Sequence, residues 1–400
     1  MRGAAGGANL LALRSHNTAL VLDLLRTAGG AGISRLELAE RTGLTPQAVS
    51  KITARLRGEG LAAEAGRRAS TGGKPRTVLR LVPGASHALG VHLDRDELRA
   101  VLVDLDGTVV AERRAPLDLG AGAETVLEGV ARAAEELAAE GLGHLVAEDA
   151  RVPGAALAAA PTLLGLGVAL PGPLDHVRGV LHRITGFPGW DGYPLREALE
   201  RRLGVPVVVD KDTNAAALGL AVGGAGGEAG GGAGGEAAGA GARGGSFAYL
   251  HLGTGLGAGL VFDGGVHRGA RTGAGEFGHQ VVQLDGPPCT CGARGCVEAL
   301  CLAAVARGDL AEAARVLGTG AANLAGLLDI DLVLLGGRTV AAAPEPFVHG
   351  VGAVLDARAR REGGHDGPVP VRLAPAGARG VAEGAAQLLL APLFGRGEGG

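Results

Sequence analysis

Residues 275–298 read GEFGHQVVQLDGPPCTCGARGCVE and carry a histidine, a Cys-x-Cys pair and a further cysteine. His279, Cys289, Cys291 and Cys296 together offer one imidazole and three thiolates, a tetrahedral ligand set that zinc favours. The glycines among the cysteines allow the chain to turn back onto the ion. Because protein atoms fill all the ligand positions, we expect a structural zinc ion. The alternative is a set of unligated cysteines.

The remaining cysteine, Cys301, lies beyond this ligand set and is expected to be buried on a helix. All the cysteines fall within residues 289–301, and the N-terminal residues lack the continuous apolar run of a secretory signal. This pattern favours a metal site over disulfides, and it also favours a cytoplasmic location. The uncharged stretch 152–174 is long enough to span a membrane, but prolines and glycines break it into turn and strand segments. We therefore expect no membrane partner.

The charge of the chain is unevenly distributed around these motifs. The 400 residues carry 38 Lys+Arg and 41 Asp+Glu, a net charge of −3. Residues 1–82 hold 13 Lys+Arg against 5 Asp+Glu, or +8, whereas the remainder holds 25 against 36, or −11. Hydrophobic residues make up 46% of the chain, which excludes overall disorder and supports more than one core. A basic arm on an acidic body suggests that only the arm meets a polyanion.

The basic arm has the pattern of a helix-turn-helix. An apolar stripe predicts a first helix near residues 15–28. Ser34 and Glu37 form a capping box that begins a second helix, and Gly43 allows the left-handed turn that ends it. Thr45 caps a third helix directly afterwards. Two helices joined by so short a turn are typical of DNA-binding domains.

The third helix has two distinct faces. At 100° per residue, Val49, Ile52 and Leu56 share an apolar face, opposite a polar and basic one. Two strand-like pieces follow, with a basic tip that would form a wing. We predict a winged helix-turn-helix over residues 14–82, and the alternative is a small helical bundle with a solvated basic face. The predicted DNA-binding residues are Thr45, Gln47, Ser50, Lys51, Arg55, Lys74 and Arg76.

Strand and helix patterns alternate from residue 88 onward, which predicts an α/β fold with partly parallel sheets. A strand, a turn at Asp106-Gly107 and another strand come first, followed by a helix over 123–145. Within residues 223–245, 13 of 23 are glycine. Such a tract is expected to behave as a flexible loop and not as a phosphate site.

Several motifs in this order resemble the ROK family, which comprises repressors, uncharacterised reading frames and sugar kinases. The motifs are GLGVALPGPLD at 165–175, Phe187–Trp190, DTNAAA at 212–217, HLGTGLGAGLV at 251–261 and the cysteine stretch. The resemblance covers about residues 14–395. It implies a two-lobed, actin-like (ribonuclease-H-like) body with a sugar cleft between the lobes. We assign lobe 1 to 88–212, completed by a C-terminal helix at about 380–392, and lobe 2 to 213–379.

The same resemblance implies the residues of the sugar site. Glu276, His279 and Glu298 match the family's sugar-binding positions, and Asp212 matches the aspartate that acts as base in its kinases. In a member without catalysis, Asp212 would accept a hydrogen bond from a sugar hydroxyl. Each of these carboxylates has the alternative of a solvated surface charge. The family's asparagines are replaced by Lys211 and Gly186; we expect Lys211 to turn outward, although it could contact an acidic or phosphorylated sugar.

ROK kinases need two glycine-rich phosphate loops. The loop Gly253–Gly257 is intact, but the first loop, normally Asp-x-Gly-Gly-Thr, is degenerate. Aligned with the family, His92 replaces its aspartate, Asp94 and Arg95 replace its glycines, and Asp96 replaces its threonine. Acidic side chains beside a triphosphate would weaken its binding. We therefore expect no enzymatic activity.

The sequence thus predicts a sugar-responsive, DNA-binding transcriptional regulator, specifically a repressor released from its operator by a carbohydrate. It would bind double-stranded DNA as a homodimer or a dimer of dimers. One alternative is an ATP-dependent, glucokinase-like sugar kinase that carries a DNA-binding domain. Another is a regulator without a small-molecule ligand that responds to a protein partner.

Overall fold

The computed structural model describes residues 16–68, 76–142, 162–184, 186–223, 245–363, 367–375 and 377–396. Lys74 and most of the predicted wing tip lie outside these residues, as does the interior of the glycine-rich tract. Residues 152–161 of the uncharged stretch also lie outside them. Across the described ranges, no helix is both long enough and apolar enough to cross a membrane.

Three helices and a small sheet form the N-terminal unit of the described chain. Its elements are α1 His16–Thr27, β1 Ile33–Ser34, α2 Arg35–Thr42, α3 Pro46–Gly58, β2 Ala62–Arg68 and β3 Arg76–Leu81. The strands form an antiparallel sheet in the order β1-β3-β2. The helices begin and end within about two residues of the predicted positions, as expected where local capping signals are strong.

The caps predicted from the sequence are present. The backbone N–H of Ser34 donates to Glu37 Oε2 at 2.8 Å, and the N–H of Glu37 donates to Ser34 Oγ at 3.3 Å. Gly43 ends α2 with φ of +69°, and the N–H of Ala48 donates to Thr45 Oγ1 at the start of α3. Each cap satisfies backbone groups that a helix end leaves unpaired.

Lobe 1 contains a five-stranded sheet with helices beside it. Its elements are β4 His87–Leu93, β5 Glu97–Asp104, β6 Val109–Pro116, α4 Ala123–Leu142, β7 Leu163–Leu170, β8 Leu174–Asp175, β9 Val180–Leu181, α5 Leu195–Leu203 and β10 Val207–Lys211. The strand order is β6-β5-β4-β7-β10; the first three strands are antiparallel, and β7 and β10 run parallel to β4. The predicted hairpin turn at Asp106-Gly107 joins β5 to β6.

Lobe 2 repeats this topology. Its elements are α6 Asp212–Val222, β11 Phe247–Leu252, β12 Leu256–Phe262, β13 Gly265–Val266, α7 Val297–Ala306, α8 Leu310–Leu328, β14 Leu332–Gly336, α9 Arg338–Ala342, α10 Pro344–Glu362 and β15 Val371–Leu373. The order β13-β12-β11-β14-β15 places the strands as in lobe 1, with β14 parallel to β11 and β15 parallel to β14. Two sheets of this kind form the two-lobed α/β body expected from the sequence.

The last helix, α11 Gly380–Leu390, returns to lobe 1 and packs against β4, β7 and α6. Gly90 and Gly167 allow this close approach, because a methyl group at either position would collide with a backbone carbonyl of α11. The helix therefore connects the first sheet to the start of lobe 2, where Asp212 lies.

The N-terminal unit and lobe 1 share one hydrophobic core. Leu25 and Leu79 of the unit belong to the same buried cluster as Leu390 and Phe394 from α11 and the turn after it. The Arg26 guanidinium carbon lies 4.3 Å from the centroid of the Phe394 ring. The C-terminal helix and the turn after it therefore contact the N-terminal unit directly. A movement of this helix would act on that unit without an intermediate element.

Candidate ligand cleft and metal centre

His279, Cys289, Cys291 and Cys296 lie together, with their possible ligand atoms all within 4.8 Å of one another. Cys289 Sγ is 3.7 Å from His279 Nδ1, and Cys291 Sγ is 3.7 Å from Cys296 Sγ. Tetrahedral zinc with bonds of about 2.3 Å to sulfur separates two sulfur ligands by about 3.8 Å. The spacing of this cluster therefore fits a metal ion, and the ligand types are those that zinc prefers.

The backbone around the cluster holds these side chains in place. The N–H of Cys289 donates to Ala293 O at 2.8 Å, which closes the loop between the Cys-x-Cys pair and Cys296. Gly295 has φ of +66°, and a side chain there would collide with the Gln283 carbonyl. Cys301 lies outside the cluster, fully buried on α7, as the sequence predicted.

The structure brings Asp212, Glu276, His279 and Glu298 to one cleft between the lobes. Asp212 is the first residue of α6, where its Oδ1 accepts from the N–H of Thr213 at 2.7 Å. Glu298 lies in the first turn of α7 and its Oε2 accepts from the N–H of Leu256 at 2.8 Å. These backbone hydrogen bonds hold both carboxylates at helix starts, where the helix dipole favours negative charge.

Lys211 is buried in the cleft, so the expectation that it turns outward was wrong. Only 3% of the residue is exposed, and its Nζ donates to Ala274 O and to Glu276 Oε1, the latter at 3.2 Å. A buried ammonium group is tolerated because a carboxylate and a carbonyl replace its water. Lys211 therefore already binds Glu276, which is one of the carboxylates predicted to accept hydrogen bonds from sugar hydroxyls.

Asp210 and Arg268 form a second charged pair that the sequence analysis missed. Arg268 Nε donates to Asp210 Oδ2 at 2.7 Å, and Asp210 Oδ1 accepts from Asn214 Nδ2 at 2.9 Å and from the N–H of Lys211 at 2.8 Å. Asp210 is almost fully buried. Its only sequence signal is a carboxylate inside an otherwise apolar strand, and nothing in the sequence links it to Arg268. The pair joins the end of β10 to the segment after β13.

The family model that describes the ROK family matches residues 88–304, more than half of the chain. The chain belongs to the ROK family. It is 26% identical to the xylose repressor of Bacillus subtilis (strain 168) over 266 residues, which cover 66% of this chain and 61% of that protein. This ROK chain therefore spans less than two thirds of that repressor's length.

Two solved structures extend the comparison. A ROK hexokinase from Thermus thermophilus is 31% identical and has a TM-score of 0.55, covering 75% of this chain and 96% of its own. A ROK family transcriptional regulator, homologous to the Escherichia coli MLC protein, has a TM-score of 0.70 and covers 96% of this chain and 97% of its own. At 20% identity, the second likeness shows a shared fold that includes the N-terminal unit.

In this ROK protein, the turn between β4 and β5 is bonded to lobe 2. Thr254 Oγ1 donates to Asp94 Oδ1 at 3.0 Å, and Arg338 Nη1 lies 3.0 Å from both Asp96 carboxylate oxygens. Burial would raise the pKa of Asp94, but the N–H of Arg95, the nearby His92 and the Thr254 hydroxyl together lower it. The acidic turn therefore faces hydroxyl and guanidinium donors of lobe 2.

Behind this turn lie buried rings from both lobes. His92 of β4 and His251 of β11 meet edge to face with centroids 6.4 Å apart, and Tyr249 Oη is 2.9 Å from His251 Nδ1. Burial lowers the pKa of His92, partly opposed by Asp212, so His92 is neutral near pH 7. Burial raises the pKa of the Tyr249 hydroxyl. This part of the cleft is filled by aromatic side chains.

The N-terminal unit presents the predicted polar face to solvent. Val49 and Leu56 of α3 are fully buried, whereas Gln47, Ser50 and Lys51 are exposed. The other predicted DNA-binding residues in the described part of the chain, Thr45, Arg55 and Arg76, are exposed as well. Arg55 Nη2 also donates to Thr18 Oγ1 at 2.6 Å, and so links α3 to α1.

Proposed function

We propose that this protein is a sugar-responsive transcriptional repressor. The observation that carries the proposal is the exposed polar and basic face of α3, on a unit whose core continues into a body with a carboxylate-lined cleft. The DNA-binding unit would span residues 14–82. Lobe 1 would span 88–212 with the helix at about 380–392, and lobe 2 would span 213–379.

For DNA binding, α3 would enter the major groove as a recognition helix. Gln47 and Lys51 have the length and the chemistry to reach base edges, and Ser50 and Arg76 could bind phosphates. Lys74 would contribute from the wing between β2 and β3. A homodimer would present two such helices to a pseudo-palindromic operator, whose half-site spacing reflects the dimer geometry.

For sugar binding, Asp212, Glu276 and Glu298 would accept hydrogen bonds from hydroxyl groups. His279 would contact the sugar with the ring edge that does not face the metal. A zinc ion held by His279 and the cysteines would be structural, because the protein fills the ligand positions. It would fix the turn that carries Glu276 and the start of the helix that carries Glu298. Loss of the metal would therefore loosen two sugar contacts at once.

Regulation would follow from the packing of α11. Asp212 begins α6, α6 packs on α11, and the turn after α11 packs on α1 of the DNA-binding unit. A sugar that binds better to one arrangement of the lobes would shift the population toward it and change the position of the unit. The change in operator affinity cannot exceed the difference in sugar affinity between the two arrangements.

Catalysis is not part of the proposal, because the first of the two phosphate loops that ROK kinases need is degenerate. His92, Asp94, Arg95 and Asp96 stand where ROK kinases carry an aspartate, two glycines and a threonine. Asp94 and Asp96 bind the Thr254 hydroxyl and the Arg338 guanidinium, which are groups that could otherwise hold phosphates.

The test uses zinc-loaded full-length protein and duplex DNA selected from a random pool. Fluorescence anisotropy should show tight, salt-dependent binding that a subset of monosaccharides weakens. Lys51→Ala should reduce DNA affinity, whereas the matched control Arg132→Ala, on an exposed lobe 1 helix, should not. If no carbohydrate in a broad panel changes DNA binding, sugar sensing is refuted, and a regulator that responds to a protein partner becomes the better explanation.

One observation favours a second candidate, a sugar kinase with a DNA-binding domain. The turn between β11 and β12 retains Gly253, Gly255 and Gly257 in the position of the second phosphate loop. A coupled assay for ATP-dependent phosphorylation of the same sugars distinguishes the two. Activity that Asp212→Asn abolishes would establish the kinase.

A further inference from the structure

We propose that Arg95 is a ligand-contacting residue of the cleft, and that it donates hydrogen bonds to an acceptor oxygen of a neutral monosaccharide. This inference rests on the proposed sugar cleft and adds to it a cationic donor, beside the N–H of the His279 ring. The argument starts from the position of the guanidinium group.

Arg95 lies on the turn between β4 and β5, is half-buried, and lines the cleft together with Asp212 and Glu298. Its neighbours in the chain are both acidic, but Asp94 and Asp96 bind Thr254 and Arg338 of lobe 2 instead. Among the described residues, no carboxylate lies within ion-pair distance of the Arg95 guanidinium. The guanidinium carbon lies 5.7 Å from the centroid of the Phe187 ring.

The guanidinium lies between the two lobes. A Cβ atom placed on Gly186 of lobe 1 would be 3.8 Å from Arg95 Nη1, and one placed on Gly255 of lobe 2 would be 3.9 Å from Nη2. Because Gly186 has no side chain, the space in front of the guanidinium is open. Any larger residue there would extend onto it. The same group therefore meets a ligand at the point where both lobes contribute to the cleft.

Among the charged side chains at this site, hydrogen-bond acceptors outnumber the available donors. Asp212 and Glu298 are acceptors, which suits the hydroxyl hydrogens of a sugar. Lys211 is a donor, but its ammonium group already binds Glu276 and the Ala274 carbonyl. A sugar also has oxygen atoms that must accept hydrogen bonds when they leave water. Arg95 is positioned to supply them, since a guanidinium presents several N–H donors and no acceptor.

Electrostatics decides the class of sugar. The cleft is lined by four carboxylates, from Asp94, Asp212, Glu276 and Glu298, against two cationic side chains, Arg95 and Lys211. A phosphorylated sugar would bring about −1.5 to −2 charges into a site that already has excess negative charge. Like charges held this close in a partly buried cleft repel one another. One guanidinium does not offset several such repulsions, so a neutral sugar is favoured over a sugar phosphate or sugar acid.

The experiment is isothermal titration of zinc-loaded full-length protein with neutral pentoses and hexoses, hexose 6-phosphates and hexuronates. Wild-type protein should bind a neutral sugar more tightly than its phosphorylated or oxidised counterpart. Arg95→Ala should weaken that binding by about ten- to a hundredfold, the range for a hydrogen bond to a charged group. Arg95→Gln should lose less, because it keeps an amide donor. Arg183→Ala is the matched control, since Arg183 is exposed and does not line the cleft.

Each outcome has a distinct meaning. Equal sugar affinity of Arg95→Ala and Arg183→Ala overturns the role of Arg95 and leaves the sugar cleft standing. A sugar phosphate or sugar acid that binds more tightly than its neutral parent, with the preference lost in Arg95→Ala, overturns the neutral class. If wild-type protein binds no sugar, the proposed function fails together with this inference. Thermal unfolding of each variant without sugar verifies that it is folded.

Discussion

Replacement of Arg268 by alanine tests the charged pair that joins β10 to lobe 2. Asp210 is 1% exposed, and Arg268 is the recorded donor to its Oδ2 atom. Removal of one partner of a buried pair costs about 3–5 kcal/mol, because an uncompensated charge remains. Oδ1 keeps its bonds from Asn214 and from the N–H of Lys211, so we expect the lower end, about 3 kcal/mol.

The assay is urea unfolding followed by the fluorescence of Trp190. This residue is the only tryptophan of the chain, is buried in the lobe 1 core and donates from Nε1 to Leu119 O at 2.9 Å. Its signal therefore reports the lobe whose sheet contains Asp210. The matched control is Arg201→Ala, which removes an exposed arginine paired with Glu197 on α5 and should cost only about 0.3–0.5 kcal/mol.

A second variant separates lost charge pairing from lost packing. In Arg268→Ala combined with Asp210→Asn, position 210 holds no unpaired charge, and a neutral amide can still accept from the Lys211 N–H. This double variant should therefore be more stable than Arg268→Ala alone. The reasoning is refuted if Arg268→Ala destabilises lobe 1 no more than Arg201→Ala does. It is equally refuted if adding Asp210→Asn to Arg268→Ala lowers the free energy of unfolding by a further amount as large as the first.

Three other predictions concern the metal, the DNA contact and pH. Cys291→Ala should abolish stoichiometric zinc binding, measured by atomic emission. It should also weaken sugar binding, because the zinc site supports Glu276 and Glu298. An unchanged zinc content would contradict the proposed ligand set. Arg76→Ala should weaken binding to all DNA sequences and reduce the salt slope by about 1, because Arg76 is proposed to bind a phosphate. Gln47→Ala should instead relax the preference at one base pair. Burial lowers the pKa of His92 in the folded state below its ordinary value. The unfolded chain therefore takes up a proton at a higher pH than the folded chain does. The free energy of unfolding should fall as pH drops below about 6.5. His92→Gln should reduce that slope in urea unfolding at pH 5.5 to 7.5, and an unchanged slope would exclude His92 as a contributor.

The sequence by itself determined the features that depend on neighbouring residues. The capping box of Ser34 and Glu37, the turn at Gly43 and the start of α3 after Thr45 were all predictable, because each cap bonds groups only three or four residues apart. The Cys-x-Cys pair and Cys296 are close in the chain as well, which is why the cluster with His279 could be recognised. The order of strands and helices followed from hydrophobic periodicity.

Only the tertiary structure decided which polar and charged groups meet across the cleft. Asp94 with Thr254, Asp96 with Arg338 and Asp210 with Arg268 join residues that are far apart in the chain, and no local pattern links them. The burial of Lys211 has the same origin, since its partners Ala274 and Glu276 belong to the other lobe. The sequence shows that a charged side chain exists, but its effect depends on whether a partner replaces water when it is buried. That partner is supplied by the packing of one lobe against the other.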